Sequence, residues 1–462
     1  MLRSMRPERE YPRVVVVSGT AFGEHSATAV TLTNLFHGWP PDRLALVHGD
    51  TAATNHRQRF CERIWQISLA DVPIDRTVRK LLGKRKDQLV GRASAGMPAG
   101  LGARGAGEAA PLRTRLHGVA SAWADLLPTR PPQAFWAWAN EFQPQLIYST
   151  LGSTRLMGLV LGAAKRCRAR IVPHFMDDWP GTYYRGWLNT VPRMIMLSRL
   201  RSVMRMSPLG LSICSAMAAE YEQRYGIRFQ AFMNCVSVSS ECPAMPAGDS
   251  GRPLRLLFTG GLHLNRWRSL ADVGRALLAL REEGIMAELV IHTSMTEAAM
   301  FTPTLSAIAT IRLGGPLPID QLRSALQQAD ILVHVDSFDP TPRQYLRLSM
   351  STKLPLCMAS GKAILAYGPR ELASCRYVQD SQCGVVVGEQ NAALLLKAVR
   401  TLASDPQRRA ELGRRGWEVA RRNHHASVVR ERFRLVLARA ASSHRGTASV
   451  HRCDCAYGRS RL

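Results

Sequence analysis

Two apolar runs, Val14-Val-Val-Val17 and Leu254-Arg-Leu-Leu-Phe258, each stop at a glycine turn, and each opens a series of alternating strand and helix patterns. The first run leads into Ser18-Gly-Thr-Ala-Phe-Gly23, the second into Gly260-Gly261. After the first, the spacing predicts helices over 28–36, 153–168 and 216–225, with strands over 44–47, 146–148, 170–175 and 211–214. After the second it predicts helices over 269–283 and 319–328, with strands over 288–292, 309–313, 331–335 and 363–366. Short apolar runs alternating with 3.6-residue periodicity call for parallel sheets covered by helices on both faces. A chain of 462 residues is too long for a single core. The expected fold class is therefore α/β, with two Rossmann-like domains facing a cleft.

The expected boundaries are an N-terminal domain over 1–240, a linker over 241–253, a C-terminal domain over 254–441 ending in helix, and a disordered tail over 442–462. Within the first domain, residues 76–115 are rich in Gly, Ala and Arg and poor in large apolar side chains, so they are read as a flexible excursion. One long basic helix is expected over 405–438.

Hydrophobic residues make up 46% and charged residues 21%, the balance of a globular chain. No apolar run approaches the roughly 20 residues that span a bilayer. The basic start, Met1 to Arg13, runs into an apolar stretch too short for a signal-peptide core, so a cytoplasmic location is expected. The ten cysteines are scattered, with only Cys453 and Cys455 close together, which fits reduced thiols and no zinc site. Sixty-one Lys and Arg against 35 Asp and Glu leave a net charge of +26, which attracts polyanions. No zinc finger, RNP-like aromatic motif or recognition helix points to nucleic acid. The inner face of an anionic membrane is the better-fitting partner. Residues 194–206 form a basic amphipathic stretch, which reads as a helix packed on its own domain ahead of one lying on lipid.

Four constellations carry chemistry. Gly19, Thr20 and Gly23 form a turn after the first strand, fitting either a plain turn or a loop that a ligand can approach. In His174-Phe-Met-Asp-Asp-Trp-Pro180, the candidates His174, Asp177 and Asp178 sit at a strand's carboxyl end, where they can hold or deprotonate a hydroxyl; an Asp pair there is also a common helix cap. In Gly260-Gly-Leu-His-Leu-Asn-Arg266, a cation follows a Gly-rich strand end. Past the strand at 331–335 come Asp336 and Ser337, then Ser349-Met-Ser-Thr-Lys353 and a helix ended by Gly361. Ser351, Thr352 and Lys353 at such a helix start would favour an anionic phosphate.

These segments, with Ile213 to Tyr221, resemble family 4 glycosyltransferases of bacterial surface-polysaccharide synthesis, over roughly 13–437. The resemblance implies a GT-B fold and a nucleotide-sugar donor on the C-terminal domain. Gly260, Gly261, Asp336, Ser337, Ser351, Thr352 and Gly361 would line it, and Arg266 and Lys353 would contact its diphosphate. It implies a saccharide or lipid-linked acceptor on the N-terminal domain, retention of configuration, and no metal or other cofactor. Two departures stand out. The family's two glutamates in the donor segment fall at Leu348 and Leu356, and its N-domain histidine at Met176, with His174 two residues earlier. Asp336 or Ser337 would then have to meet the donor ribose. A sugar transfer from a nucleoside-diphosphate donor in capsule, exopolysaccharide or O-antigen synthesis is the expected function; the alternative is an inactive GT-B saccharide-binding or scaffold protein.

Overall fold

The computed structural model describes residues 11–50, 60–67, 112–243 and 252–442. Seven parallel strands form the first sheet: β1 (Val14–Ser18), β2 (Leu44–His48), β3 (Arg63–Gln66), β4 (Leu146–Ser149), β5 (Arg170–Phe175), β6 (Gly210–Ser212) and β7 (Phe229–Ala231). Their order is β3-β2-β1-β4-β5-β6-β7. Six parallel strands form the second: β8 (Leu254–Thr259), β9 (Ala287–His292), β10 (Ile311–Gly314), β11 (Ile331–Val335), β12 (Ala363–Tyr367) and β13 (Gly384–Val387), ordered β10-β9-β8-β11-β12-β13. Both orders reverse once, between β1 and β4 and between β8 and β11. In open α/β sheets ligands bind at the carboxyl edge beside that reversal. The expected two-sheet α/β architecture is borne out.

Burial explains the central strands. All five residues of β1, β2, β11 and β12 are buried, as in sheets covered on both faces. The carboxyl ends of β5, β6 and β7 meet the second half of the chain. Ser349 Oγ donates to Asp177 (2.7 Å), Cys214 Sγ contacts the Leu348 carbonyl (3.3 Å), and Asn234 Nδ2 donates to the Thr352 carbonyl (2.9 Å). One apolar core, including Met217, Leu348, Met350 and Leu354, runs through this junction.

The single helix expected over 405–438 is two. Asp405 caps Pro406–Asn423 by accepting from Arg408 N at 2.7 Å, and that helix packs against Leu354–Ala359 of the second sheet's layer. At His424–His425 the chain leaves the helical path and pairs briefly with Val236. The helix Ala426–Ser442 then lies on the first sheet, where Phe433 packs edge-on to Phe36, Tyr148 and Phe232. The C-terminus thus locks the two halves together. Of the expected excursion, 76–111 lies outside the described residues, while 112–115 begin the helix Leu112–Ala124. Residues 244–251 of the linker and 443–462 of the tail, with Cys453 and Cys455, also lie outside them.

Replacing the fully buried Phe433 by Ala empties the space among four aromatic neighbours. The expected loss is about 3–5 kcal/mol of stability by urea denaturation; a loss below about 1 kcal/mol would contradict this docking.

Candidate functional site

The site is built at the reversal of the second sheet. Past β8, Leu264 and Asn265 adopt left-handed conformations (φ 59° and 60°), which turn the chain sharply into the helix Arg266–Glu282. Glu297 staples this loop. Its carboxylate accepts from Leu262 N and His263 N at 3.0 Å each, from His263 Nδ1 at 3.2 Å, and from Thr293 Oγ1 at 2.8 Å. Burial alone would raise its pKa; the hydrogen bonds from His263 and Thr293 outweigh it and bring the carboxyl down to about 2. Asn265 Nδ2 adds a 2.6 Å bond to Asp339.

Arg266, the first residue of that helix, points back to Asp336 at the end of β11, with Nε and Nη2 each 3.1 Å from Oδ1. Asp336 is also bonded by His334 Nε2 (3.1 Å), and its main-chain carbonyl by Ser269 Oγ (2.9 Å). It is buried; burial would raise its pKa, but the His334 and Arg266 charges pull it below the usual carboxylate range. Asp336 is therefore not free to meet a ribose, contrary to the expectation; it aims the arginine. Ser337 is likewise buried and accepts from Asp339 N at 3.1 Å.

Lys353 differs. Its ammonium makes no hydrogen bond or ion pair among the described residues, and it lies against Gly260, where an added Cβ would come within 3.2 Å of Nζ and 2.9 Å of the Phe258 ring. Burial first, then the Arg266 charge, lower its pKa to about 8. An uncompensated ammonium beside a guanidinium is the electrostatic signature of an anion site.

The anion expectation is corrected in detail. The helix after Lys353, Leu354–Ala359, is only six residues long, so its dipole contributes little. Three of the loop amides are occupied too, since Gly260 N donates to the His292 carbonyl and Leu262 N and His263 N to Glu297. Side-chain cations, not backbone donors, make the site. Ser351 and Thr352 are half-buried beside Lys353 and their hydroxyls make no hydrogen bond among the described residues. Gly261 continues the stapled loop. Gly361 (φ +69°) ends the short helix against Cys242 and Pro243 and sits in the packing of the helix Pro406–Asn423, so its role is structural. Leu348 is buried in the junction core and Leu356 packs against it, an apolar setting that suits leucine.

From the first sheet only Asp177 of the three proposed acid–base residues reaches this cleft. Burial raises its pKa, opposed by Ser349, Arg266 and Tyr345. Asp178 is a brace: it accepts from Gly181 N (3.3 Å), Tyr221 OH (2.8 Å) and Arg224 Nη1 (2.8 Å). His174 is a core residue, wholly buried, between Tyr148 OH (2.5 Å to Nδ1) and the Phe232 carbonyl (3.1 Å from Nε2). The carbonyl forces the proton onto Nε2, and burial lowers the pKa to about 4, so the ring stays neutral. Past β1, Gly19 leads to Thr20, whose Oγ1 lies 2.8 Å from His25 Nε2 and 3.3 Å from Asp50; His25 and Asp50 are 2.7 Å apart. Gly23 anchors the turn through Thr33 Oγ1 (2.8 Å). The residue list from sequence lacked this His25–Asp50 pair, Glu297, Tyr345 and Ser349. Among the described residues one cluster has metal-ligand geometry, His334, Asp336 and Cys375 within 4.8 Å. Asp336 is committed to Arg266, and burial, with Asp336 beside it, keeps the Cys375 thiol protonated.

No protein-family model matches the chain, and no curated protein matches it either. Solved structures do. HepE of Anabaena, solved with UDP, is similar over 92% of this chain and 99% of its own at 11% identity, with a TM-score of 0.56. Sucrose-phosphate synthase from Thermosynechococcus elongatus shows the same score and identity over 92% and 98%. The lipopolysaccharide outer core galactosyltransferase WaaB is similar at 9% identity over 92% and 99%, with a TM-score of 0.52. The fold is GT-B, as the sequence resemblance implies.

Asp178→Ala leaves the buried Tyr221 hydroxyl without its acceptor and Arg224 with Glu220 alone, and is expected to cost about 2–3 kcal/mol in urea denaturation. Asp177→Asn keeps its Ser349 partner and is expected to cost less than about 1 kcal/mol. Equal losses would contradict the division of labour between the two aspartates.

Proposed function

We propose that the chain is a glycosyltransferase. It moves a sugar from a nucleoside-diphosphate donor on the second sheet to a saccharide or lipid-linked saccharide on the first, in surface-polysaccharide synthesis. The observation that carries this reading is the convergence of the braced Arg266 and the unpaired Lys353 beside Gly260, at the reversal of the second sheet. As the bond from sugar to diphosphate breaks, negative charge collects on the leaving group, and fixed cations stabilise it most at that moment. Two such cations supply the charge that a divalent metal would otherwise bring, so the reaction is proposed to be metal-independent. Retention of configuration is proposed on the family resemblance, and the anomer of the product, read by proton NMR, tests it.

Asp177 enters the cleft from the other sheet, with a raised pKa and a fixed partner in Ser349. It is proposed to hold the acceptor hydroxyl and take up its proton. The hydroxyls of Ser351 and Thr352, without a partner among the described residues, are proposed to take over the ribose contact that Leu348 and Leu356 cannot make. The carboxyl edge carrying Thr20, His25 and Asp50 is proposed as part of the acceptor wall. Crystals of HepE with UDP, with UDP-glucose, and with UDP and glucose make UDP and its sugars the first donors to test.

Calorimetric titration with UDP should show Lys353→Ala binding on the order of tenfold to a hundredfold more weakly, the worth of a charge-assisted contact of about 1.5–3 kcal/mol. Unchanged binding contradicts the site. Turnover on a donor panel that Lys353→Ala abolishes supports the enzyme; tight UDP binding with no turnover on any acceptor supports an inactive relative instead.

The pH dependence has a definite sign. With the unliganded ammonium titrating at about 8, binding must take up a proton above that pH. UDP affinity should hold steady near pH 7 and fall by up to about tenfold per unit above pH 8. The diphosphate's own charge stays constant there. Lys353→Ala should flatten this profile, and a flat wild-type profile would contradict it.

A further inference from the structure

A second basic feature lies away from the donor cleft. The helix Thr190–Arg205 and the helix Ser215–Tyr225, with the turn Trp179–Thr182 and Gln344 and Arg347 of the second half, enclose an open cavity of about 690 Å³. Six arginines line it: Arg185, Arg193, Arg201, Arg205, Arg224 and Arg347. Arg224 is matched by Asp178 and Glu220, and Arg347 by Glu220. The other four meet no carboxylate among the described residues. Arg185 donates to the Gly181 carbonyl and Gln344, Arg193 to the Tyr183 carbonyl, and Arg205 to Ser202. Asp178 is the one acidic side chain in the lining, and it is fully engaged. Burial, then the neighbouring Arg185, lower the Arg193 pKa, with Asp178 opposing them.

The helix Thr190–Arg205, with the 3-10 turn Trp187–Asn189 that leads into it, shows two further faces. Met196, Leu200 and Val203 are buried in the domain core. Trp187, Leu188, Val191 and Met194, at the spacing of one helical face, project into solvent, with Trp187 83% and Met194 65% exposed. Trp123 on the neighbouring helix extends this ridge, its Nε1 donating to the Leu188 carbonyl at 3.2 Å. A ridge of Trp, Leu, Val and Met beside a cavity in which four arginines meet no carboxylate among the described residues matches one surface chemically: apolar chains under a layer of phosphate. Nucleic acid would satisfy the arginines but leave the ridge in water. No helix among the described residues is long and apolar enough to cross a membrane, so the contact would be peripheral.

We propose that this face docks on an anionic bilayer, with the ridge Trp187–Met194 entering the interface and the arginine cavity taking lipid phosphate. On the function proposed above, it would hold the acceptor edge of the first sheet against the membrane that carries a lipid-linked acceptor. The claim stands apart from the donor site, since none of its residues contacts Arg266 or Lys353.

Flotation with vesicles of phosphatidylcholine containing about one-third phosphatidylglycerol tests it. The full chain should float with these vesicles at low salt and not with pure phosphatidylcholine. Arg201→Ala with Arg205→Ala should weaken partitioning by about 25-fold, about fivefold for each charge removed. Trp187→Ser should weaken it several-fold with every arginine in place. These positions are exposed or line the cavity, so the variants should melt at the wild-type temperature. The proposal is overturned by wild-type protein that stays unbound, or by Trp187→Ser floating like wild type. Single-stranded DNA that displaces the protein at equal phosphate concentration overturns it as well, as does inorganic phosphate that does so at low millimolar concentration.

Discussion

A carboxylate buried where the second sheet reverses governs the rest of the site. Asp336 could not stay ionised there alone, because removing a charge from water costs several kcal/mol. His334 and Arg266 compensate it, and in doing so Arg266 is fixed at the start of its helix. The loop between β8 and that arginine is fastened separately by Glu297. With the nearby carboxylates engaged elsewhere, Lys353 makes no ion pair among the described residues. Positive charge is left over where a ligand's phosphates would arrive; burial first, and then the Arg266 charge, lower the pKa of Lys353 there.

The two halves are not joined by the linker alone. An apolar core runs from Met217 and Cys214 into Leu348, Met350 and Leu354, and polar contacts such as Asp177–Ser349 rim it. The helix Ala426–Ser442 crosses back to the first sheet and buries Phe433 among its aromatics. These ties bring Asp177 into the electrostatic reach of Arg266 while the sheets stay distinct. The buried leucine at 348 belongs to this junction, which explains why an apolar side chain suits a position where the resembled family carries a glutamate.

Much of the fold was legible because central strands of parallel sheets are mostly apolar; β1, β8, β11 and β12 announce themselves. Edge strands such as β3 and β13 are half exposed and four residues long, and carry no such signal. Arg266 and Lys353 could be found from their place after strands. Asp336 and Gly260 were named too, but not as their partners, because Asp336 lies 70 residues from Arg266 and Gly260 far from Lys353 along the chain. Asp178 takes the helix-cap alternative, at the start of Trp179–Thr182; the rest of its role, and that of His174, is decided by Tyr148, Phe232, Tyr221 and Arg224, 26 to 58 residues away. The helix break at His424 was hidden because nothing in a basic amphipathic run marks where its apolar stripe changes partners.

The central claim is that Arg266 and Lys353 together grip a diphosphate. A crystal structure of the protein with UDP tests it most directly. The account predicts both phosphates beside Gly260, with the Lys353 ammonium and the Arg266 guanidinium each within hydrogen-bonding distance, roughly 3 Å. UDP seated elsewhere, with Lys353 still unpaired, would contradict it.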